Sequence, residues 1–327
     1  MSGKSALVLC CALLLCGFPR PASAQVPEEA KSLFAAGDYP EAIAVLNRAA
    51  ATAPHDAALY ELLARCYFES EQFDRAIAAA EKAVDLDPKN SAYHELLGRS
   101  YGEKASRSGW FSALSLAKKA RKEFATAVEL DERNFSAMQA LIEYDCSAPG
   151  VAGGGEDKAA PEMAKLARLD TAEGLYASAN CKRQKKDYQF ADAGFERSLR
   201  QHPQSADLIY DIGDYYMKRG QADRLLLVVA EGERADPKDP RGPFYRAVAY
   251  TIQKDNAGEA AKLLREYMAH AAKRDNYPSR AMAHYWLGRI GENQNDAASA
   301  KREYREAVNL EPKNRFANEA LKRLQAD

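Results

Sequence analysis

Two stretches of this chain repeat one another without a gap. Residues 57–90 read AALYELLARCYFESEQFDRAIAAAEKAVDLDPKN and residues 281–314 read AMAHYWLGRIGENQNDAASAKREYREAVNLEPKN. Superposed, Tyr60 falls on His284, Leu63 on Leu287, Ala64 on Gly288, Ala76 on Ala300, Ala80 on Tyr304, Ala83 on Ala307 and Pro88 on Pro312. Small residues recur where two helices must approach closely, and large apolar ones recur beside them at helical spacing. The unit is therefore a helical hairpin. A lone hairpin cannot bury its own apolar face, so such units have to stack.

Spacing and signature together resemble the tetratricopeptide repeat, a helix-turn-helix of about 34 residues with Leu-Gly/Ala on its first helix, Ala and an aromatic on its second, and a terminal Pro. The resemblance implies an all-α, right-handed α-solenoid. Hairpin closures fall at Pro54, Pro88, Glu132, Thr171, Pro203, Pro237, Pro278 and Pro312. That ruler predicts eight repeats over 25–314, stretched by insertions near 102–113, 147–158 and 268–278. The segment 315–327, beginning RFANEALKRLQ, is expected to cap the last apolar face. Within repeats 3 and 4, AKKARKEFATAVELD and the following APGVAGGGEDKA resemble a group of secreted bacterial tetratricopeptide proteins of unassigned role.

The first 24 residues are expected to lie outside the fold. A basic MSGK, the apolar ALVLCCALLLCGF and the small-x-small ending of PRPASA have the form of a signal peptide cleaved after Ala24. The expected location is periplasmic or secreted. A permanent anchor would need about 20 apolar residues. Lipidation at Cys16 is a further alternative, although Leu15 sits where a lipobox wants a small residue. Cys66, Cys146 and Cys181 remain after cleavage, and an odd number argues against a disulfide framework. Cys66 and Cys181 occupy one slot in repeats stacked well apart, beyond the roughly 7 Å limit for a bridge. All three are expected to be small buried hydrophobes.

Catalytic signatures are sparse. The Gly-rich 148–158 lacks the Gly-Lys-Ser/Thr ending of a phosphate loop and no strand precedes it. None of the five histidines has another His or a Cys at ligand spacing, and His94 and His284 fall in an aromatic packing slot. With 46 basic against 47 acidic side chains there is no global field for nucleic acid. The basic run at 118–122 reads as a solvated helix face. No enzyme, cofactor or metal is expected.

The resemblance places a partner along the concave surface, lined by first helices, so that one slot per repeat becomes a stripe. Tyr176, Tyr210, Phe244 and Tyr285 form such a stripe, as groove anchors or as filling between hairpins. Four residues further along lie Asn180, Asp214 and Arg289, with Arg65 and Arg99 in repeats 2 and 3; Glu61–Arg65 and Glu95–Arg99 are also helical i,i+4 pairs. Glu before Arg in these repeats does not fit the Lys/Asn grip that some relatives use on a partner's terminal carboxylate. Trp110 and Phe111, in the repeat 3 insertion, either tuck back on the array or dock on a partner or membrane. The expected function is a non-catalytic protein-interaction scaffold of the cell envelope that binds a peptide or protein in its groove. The alternative is a subunit of envelope assembly held at the membrane by the Trp110 and Phe111 excursion or by a lipidated Cys16.

Overall fold

The computed structural model describes residues 26–326, with the side chains of 325 and 326 excepted, and the expected signal peptide lies outside them. Among the described residues there are seventeen α-helices and no strand. They pair into eight hairpins: α1 Glu28–Ala36 with α2 Tyr39–Thr52, α3 Ala57–Glu69 with α4 Phe73–Leu86, α5 Ser91–Ser106 with α6 Trp110–Leu130, and α7 Phe135–Ser147 with α8 Glu156–Leu169. The second half continues with α9 Thr171–Gln184 and α10 Tyr188–Leu199, α11 Ala206–Lys218 and α12 Ala222–Ala235, α13 Arg241–Gln253 and α14 Ala257–His270, then α15 Arg280–Asn293 and α16 Ala297–Leu310. A final helix, α17 Arg315–Ala326, packs on α16. None of these helices is long and apolar enough to cross a membrane.

The closing motif does two jobs. In LDPKN the proline ends the hairpin, and Asn90 then caps α5 by accepting from the Ala92 amide at 3.1 Å. Asn134 caps α7 and Asn314 accepts from the Ala317 amide at the head of α17 in the same way. Inside the hairpins, the turn places one residue in the left-handed region at a constant register to the closing residue: Gly37, Glu71, Lys186, Gly220 and Asn295. Repeats 3, 4 and 7, the stretched ones, break that register. Their extra length becomes the long α6, a 3-10 turn at Gly150–Ala152 before α8, and the irregular segment 271–279.

Apolar packing falls into two large clusters. One runs through repeats 1–4 as far as Ala177, and the other runs from Tyr176 to Ile290. They meet at α9, where polar groups are dense: Gln139 donates to Glu173, and Arg183 meets Asp211 at 3.2 Å. A Cys146–Cys181 disulfide joins α7 to α9 across this junction, with Cα atoms 5.5 Å apart. The expectation that all three mature cysteines are free is thereby corrected; only Cys66 is free and buried. The physical reason is that stacking sets residues about one repeat apart on neighbouring first helices side by side, and Cys146 and Cys181 are 35 apart. An odd count hid the pair.

The stack also closes on itself. The segment 271–279 reaches the within-hairpin ends of repeats 1 and 2 and the middle of α5 in repeat 3: Tyr39 donates to the Lys273 carbonyl, the Asp275 amide donates to Glu69 at 2.9 Å, and Arg99 meets Asp275 at 2.9 Å. Arg241 holds that segment from behind. Its buried guanidinium pairs with Asp239 at 2.7 Å and Asp207 at 2.8 Å, and lies between the Tyr210 and Tyr277 rings at 4.6 and 4.7 Å.

Candidate binding groove

One cavity lies among first helices and the final helix. Met217 and Lys218 at the end of α11, Ile252 on α13, Met282, Tyr285, Trp286 and Arg289 on α15, and Phe316 on α17 enclose a cavity of about 220 Å³. Lys218 and Ile252 are one repeat apart at the ends of α11 and α13, and they meet an earlier stretch of α15. Tyr285 is wedged between Trp286 at 5.4 Å, Tyr304 at 5.7 Å and Phe316 at 5.6 Å, which fixes its ring. Arg289 donates to the Tyr285 hydroxyl at 3.1 Å and lies 5.7 Å from the Trp286 ring centre. Arg289 also meets Glu292 at 3.6 Å, a carboxylate shared with Arg323 at 2.8 Å and with the Tyr304 hydroxyl at 2.6 Å. The lining itself holds Lys218 and Arg289 and no carboxylate.

The rest of the expected stripe is core. Tyr176, Tyr210 and Phe244 are 6%, 2% and 0% exposed, so the anchor role expected for them is corrected. Their rings fill joints between hairpins: Tyr210 stacks on Tyr245 at 5.5 Å, and Phe244 packs on Tyr267 at 5.0 Å. Four residues on, Asn180 is buried and Asp214 accepts from the Tyr245 hydroxyl at 2.6 Å, so both serve the joints rather than a ligand. Burial raises the Asp214 carboxyl above its usual range. Arg65 is exposed but pairs with Glu61 at 3.5 Å and covers the Phe34 ring; Arg99 is engaged in the closure. Only Tyr285 and Arg289 of the expected set lie together at a cavity.

A second cavity, about 730 Å³, lies at the closure seam between repeats 1–3 and the 271–281 segment. Glu69, Glu71, Glu103 and Asp275 face Arg107, Lys273, Arg274 and Arg280 there. Burial, then the neighbouring Asp275, pushes the Glu69 carboxyl up to about 7. Sequence reading missed this site because it joins residues about 200 positions apart; the one available signal was that the ruler slips in repeat 7 just before it.

Trp110 and Phe111 stand free at the head of α6, 69% and 87% exposed, so they do not tuck back on the array. His94 meets Glu123 at 2.7 Å and His284 meets Glu303 at 2.9 Å, consistent with their packing slots. Among the described residues no group of three or more His, Cys, Asp or Glu side chains has metal-holding geometry.

Residues 33–99 match a family model described as Tetratricopeptide repeat, and residues 281–314 match a second model of the same description. Among curated protein sequences none matches significantly. Similar solved structures include a tetratricopeptide repeat protein from Parabacteroides merdae (15% identity, 92% of this chain and 97% of that one, TM-score 0.45). The C-terminal part of a TPR repeat-containing protein from Cytophaga hutchinsonii is 19% identical over 90% of this chain and 98% of that one, with a TM-score of 0.39. A Cut9 and Hcn1 hetero-tetramer of the APC/C is 15% identical over 90% of this chain and 54% of that one, with a TM-score of 0.49. Such repeats build protein-interaction scaffolds. With matches near both ends of one continuous stack of eight hairpins, this is a protein built of tetratricopeptide repeats.

Proposed function

We propose that this chain is a non-catalytic scaffold of the cell envelope that holds an extended protein or peptide segment in the groove of repeats 6–8. The observation that carries the reading is the cavity between α11, α13, α15 and α17. At about 220 Å³ it is smaller than the roughly 300–1,000 Å³ of small-molecule sites and suits one large apolar side chain, the usual anchor of a protein interface. Lys218 and Arg289 at its rim favour a partner with an acidic residue beside that anchor. An extracytoplasmic setting is supported by the signal-like leader and by the Cys146–Cys181 bridge, since disulfides persist in oxidising compartments.

Peptides selected from a displayed random library on the full protein test the groove. Met282→Glu and Arg289→Ala are each expected to weaken the enriched peptides by about tenfold or more with thermal unfolding unchanged. Peptides that bind both variants as well as the parent would place the site elsewhere. Sequencing of the protein recovered from cells tests location: a start at Gln25 supports export, and a retained leader refutes cleavage.

A second reading, a membrane-associated subunit of envelope assembly, is favoured by the full exposure of Trp110 and Phe111.

A further inference from the structure

Among the described residues, the three most exposed large hydrophobic side chains are Phe111 at 87%, Val151 at 74% and Trp110 at 69%. They belong to two elements that pack on each other, α6 and the 3-10 turn at Gly150–Ala152. The head of α6 and the 3-10 turn fall in stretches inserted into the repeat, so neither the hairpin fold nor its stacking explains why they present apolar groups to water. Isolated exposed hydrophobics such as Val151 are ordinary, but Trp110 and Phe111 are adjacent and give the head of α6 a double aromatic tip.

Between Glu103 and Glu123 the segment that carries the tip is basic. From Lys104 to Lys122 the chain holds Lys104, Arg107, Lys118, Lys119, Arg121 and Lys122 and no acidic residue. Several of these cations are engaged: Lys104 with Asp74, Arg107 with Glu103 at 2.5 Å, and Arg121 with Asp145 at 2.7 Å. Lys118 and Lys122 are exposed and no carboxylate pairs with them. Helical periodicity puts Phe111, Ser115, Lys118 and Lys122 on one face of α6, opposite buried Ala120 and Phe124. Along that face Lys118 lies about 10 Å and Lys122 about 16 Å from Phe111.

We infer that the head of α6 docks the protein on an anionic lipid surface, Trp110 and Phe111 entering the interface while Lys118 and Lys122 meet the headgroups. Trp at a membrane interface and Lys near anionic lipid are each favourable there. Shape and size argue for lipid over protein. Two aromatic side chains supply roughly 300–500 Å² of contact, well below the about 800 Å² that each partner contributes to a stable protein interface, and an exposed tip needs no complementary pocket in a fluid surface. The inference deepens the second reading above and is independent of the groove, so Met282→Glu leaves it untouched.

The chain has two tryptophans, Trp110 exposed and Trp286 buried, so its fluorescence reports this tip. Titrating the full chain with phosphatidylcholine vesicles, with and without phosphatidylglycerol, is expected to shift Trp emission to the blue only when the anionic lipid is present, and less at high salt. Partitioning should fall about tenfold in Trp110→Ala/Phe111→Ala and about fivefold for each of Lys118→Gln and Lys122→Gln. Trp110→Phe should bind and give no shift. Equal binding to neutral and anionic vesicles, unchanged partitioning of the double alanine variant, or a concentration-dependent shift without vesicles that marks self-association, would each overturn the inference. The lysine variants lie on a solvated face and keep the test independent of folding.

Discussion

The Arg99 guanidinium lies 2.9 Å from the Asp275 carboxylate, joining residues 176 positions apart and tying the third hairpin to the segment that follows the seventh. On its own this half-exposed pair contributes about 0–1 kcal/mol. Its effect is positional. It sits in one contact with the Asp275 amide on Glu69 and the Tyr39 hydroxyl on the Lys273 carbonyl, and these together hold one turn of the stack shut.

The closure is expected to depend on pH through Glu69. Its carboxyl is raised from 4.5 to about 7 by burial and then by Asp275. Between those values the folded protein binds more protons than the unfolded chain, so this contribution is present at acid pH and is lost as pH climbs towards and past about 7. Glu69→Gln keeps an acceptor for the Asp275 amide and removes the charge. Thermal unfolding of the variant should exceed the parent's at about pH 8 and converge with it near pH 4.5. A variant less stable than the parent at the higher pH would show that the ionised carboxylate helps the closure.

Reducing the Cys146–Cys181 bridge should uncouple the two halves of the core. Opening a loop of 35 residues lowers stability by about 4 kcal/mol on chain entropy, and the bridge crosses the polar junction at α9 where the two apolar clusters meet. Urea unfolding followed by far-ultraviolet dichroism is expected to be a single transition in the oxidised protein and two in Cys146→Ser/Cys181→Ser. A single transition at an unchanged midpoint would mean that the bridge adds nothing. In alkylation of the native oxidised protein Cys66 should stay silent, since burial pushes its thiol up to about 12.

Legibility follows from how local each feature is. Hairpins, caps and the final helix were readable because Pro88, Asn90 and Ala83 act within a few residues of themselves, and the period repeats the message. The groove was half readable. A slot at the repeat period finds residues that share a face, but it does not say whether the joint is deep enough to swallow a ring; Tyr210 and Phe244 are each followed by a further hairpin and are covered, whereas beyond Tyr285 only the short final helix follows, and its ring stays partly open. The Cys146–Cys181 pair was readable in principle from its one-repeat separation. The Arg99–Asp275 closure was not, because it depends on the curvature that eight small rotations accumulate.

Gly288 and Tyr304 show how one slot pair is solved twice. A Cβ on Gly288 would lie 2.4 Å from the Tyr304 ring, so the glycine exists for the ring's sake; repeat 2 fills the same pair with Ala64 and Ala80, both buried. Gly288→Ala alone should cost about 1–3 kcal/mol by overpacking and Tyr304→Ala alone about 3–5 kcal/mol. The double variant recreates the repeat 2 pair and should cost clearly less than the two single losses together. Strict additivity in denaturant unfolding would refute the direct clash.

Tyr210 separates a core ring from a groove anchor in a single experiment. Its hydroxyl is buried without a hydrogen-bond partner, while the stacked Tyr245 donates to Asp214 at 2.6 Å. An unpaired buried hydroxyl has lost its water and gained nothing, so Tyr210→Phe is expected to leave stability unchanged or raise it by up to about 1 kcal/mol. Tyr245→Phe strands a buried carboxylate and should lower stability by about 1–3 kcal/mol. Tyr210→Ala empties a joint that also seats the Arg241 guanidinium, and should cost about 3–5 kcal/mol. If instead Tyr210→Ala unfolds like the parent and only weakens a groove peptide, the ring is a ligand contact and the placement of the groove at Tyr285 is wrong.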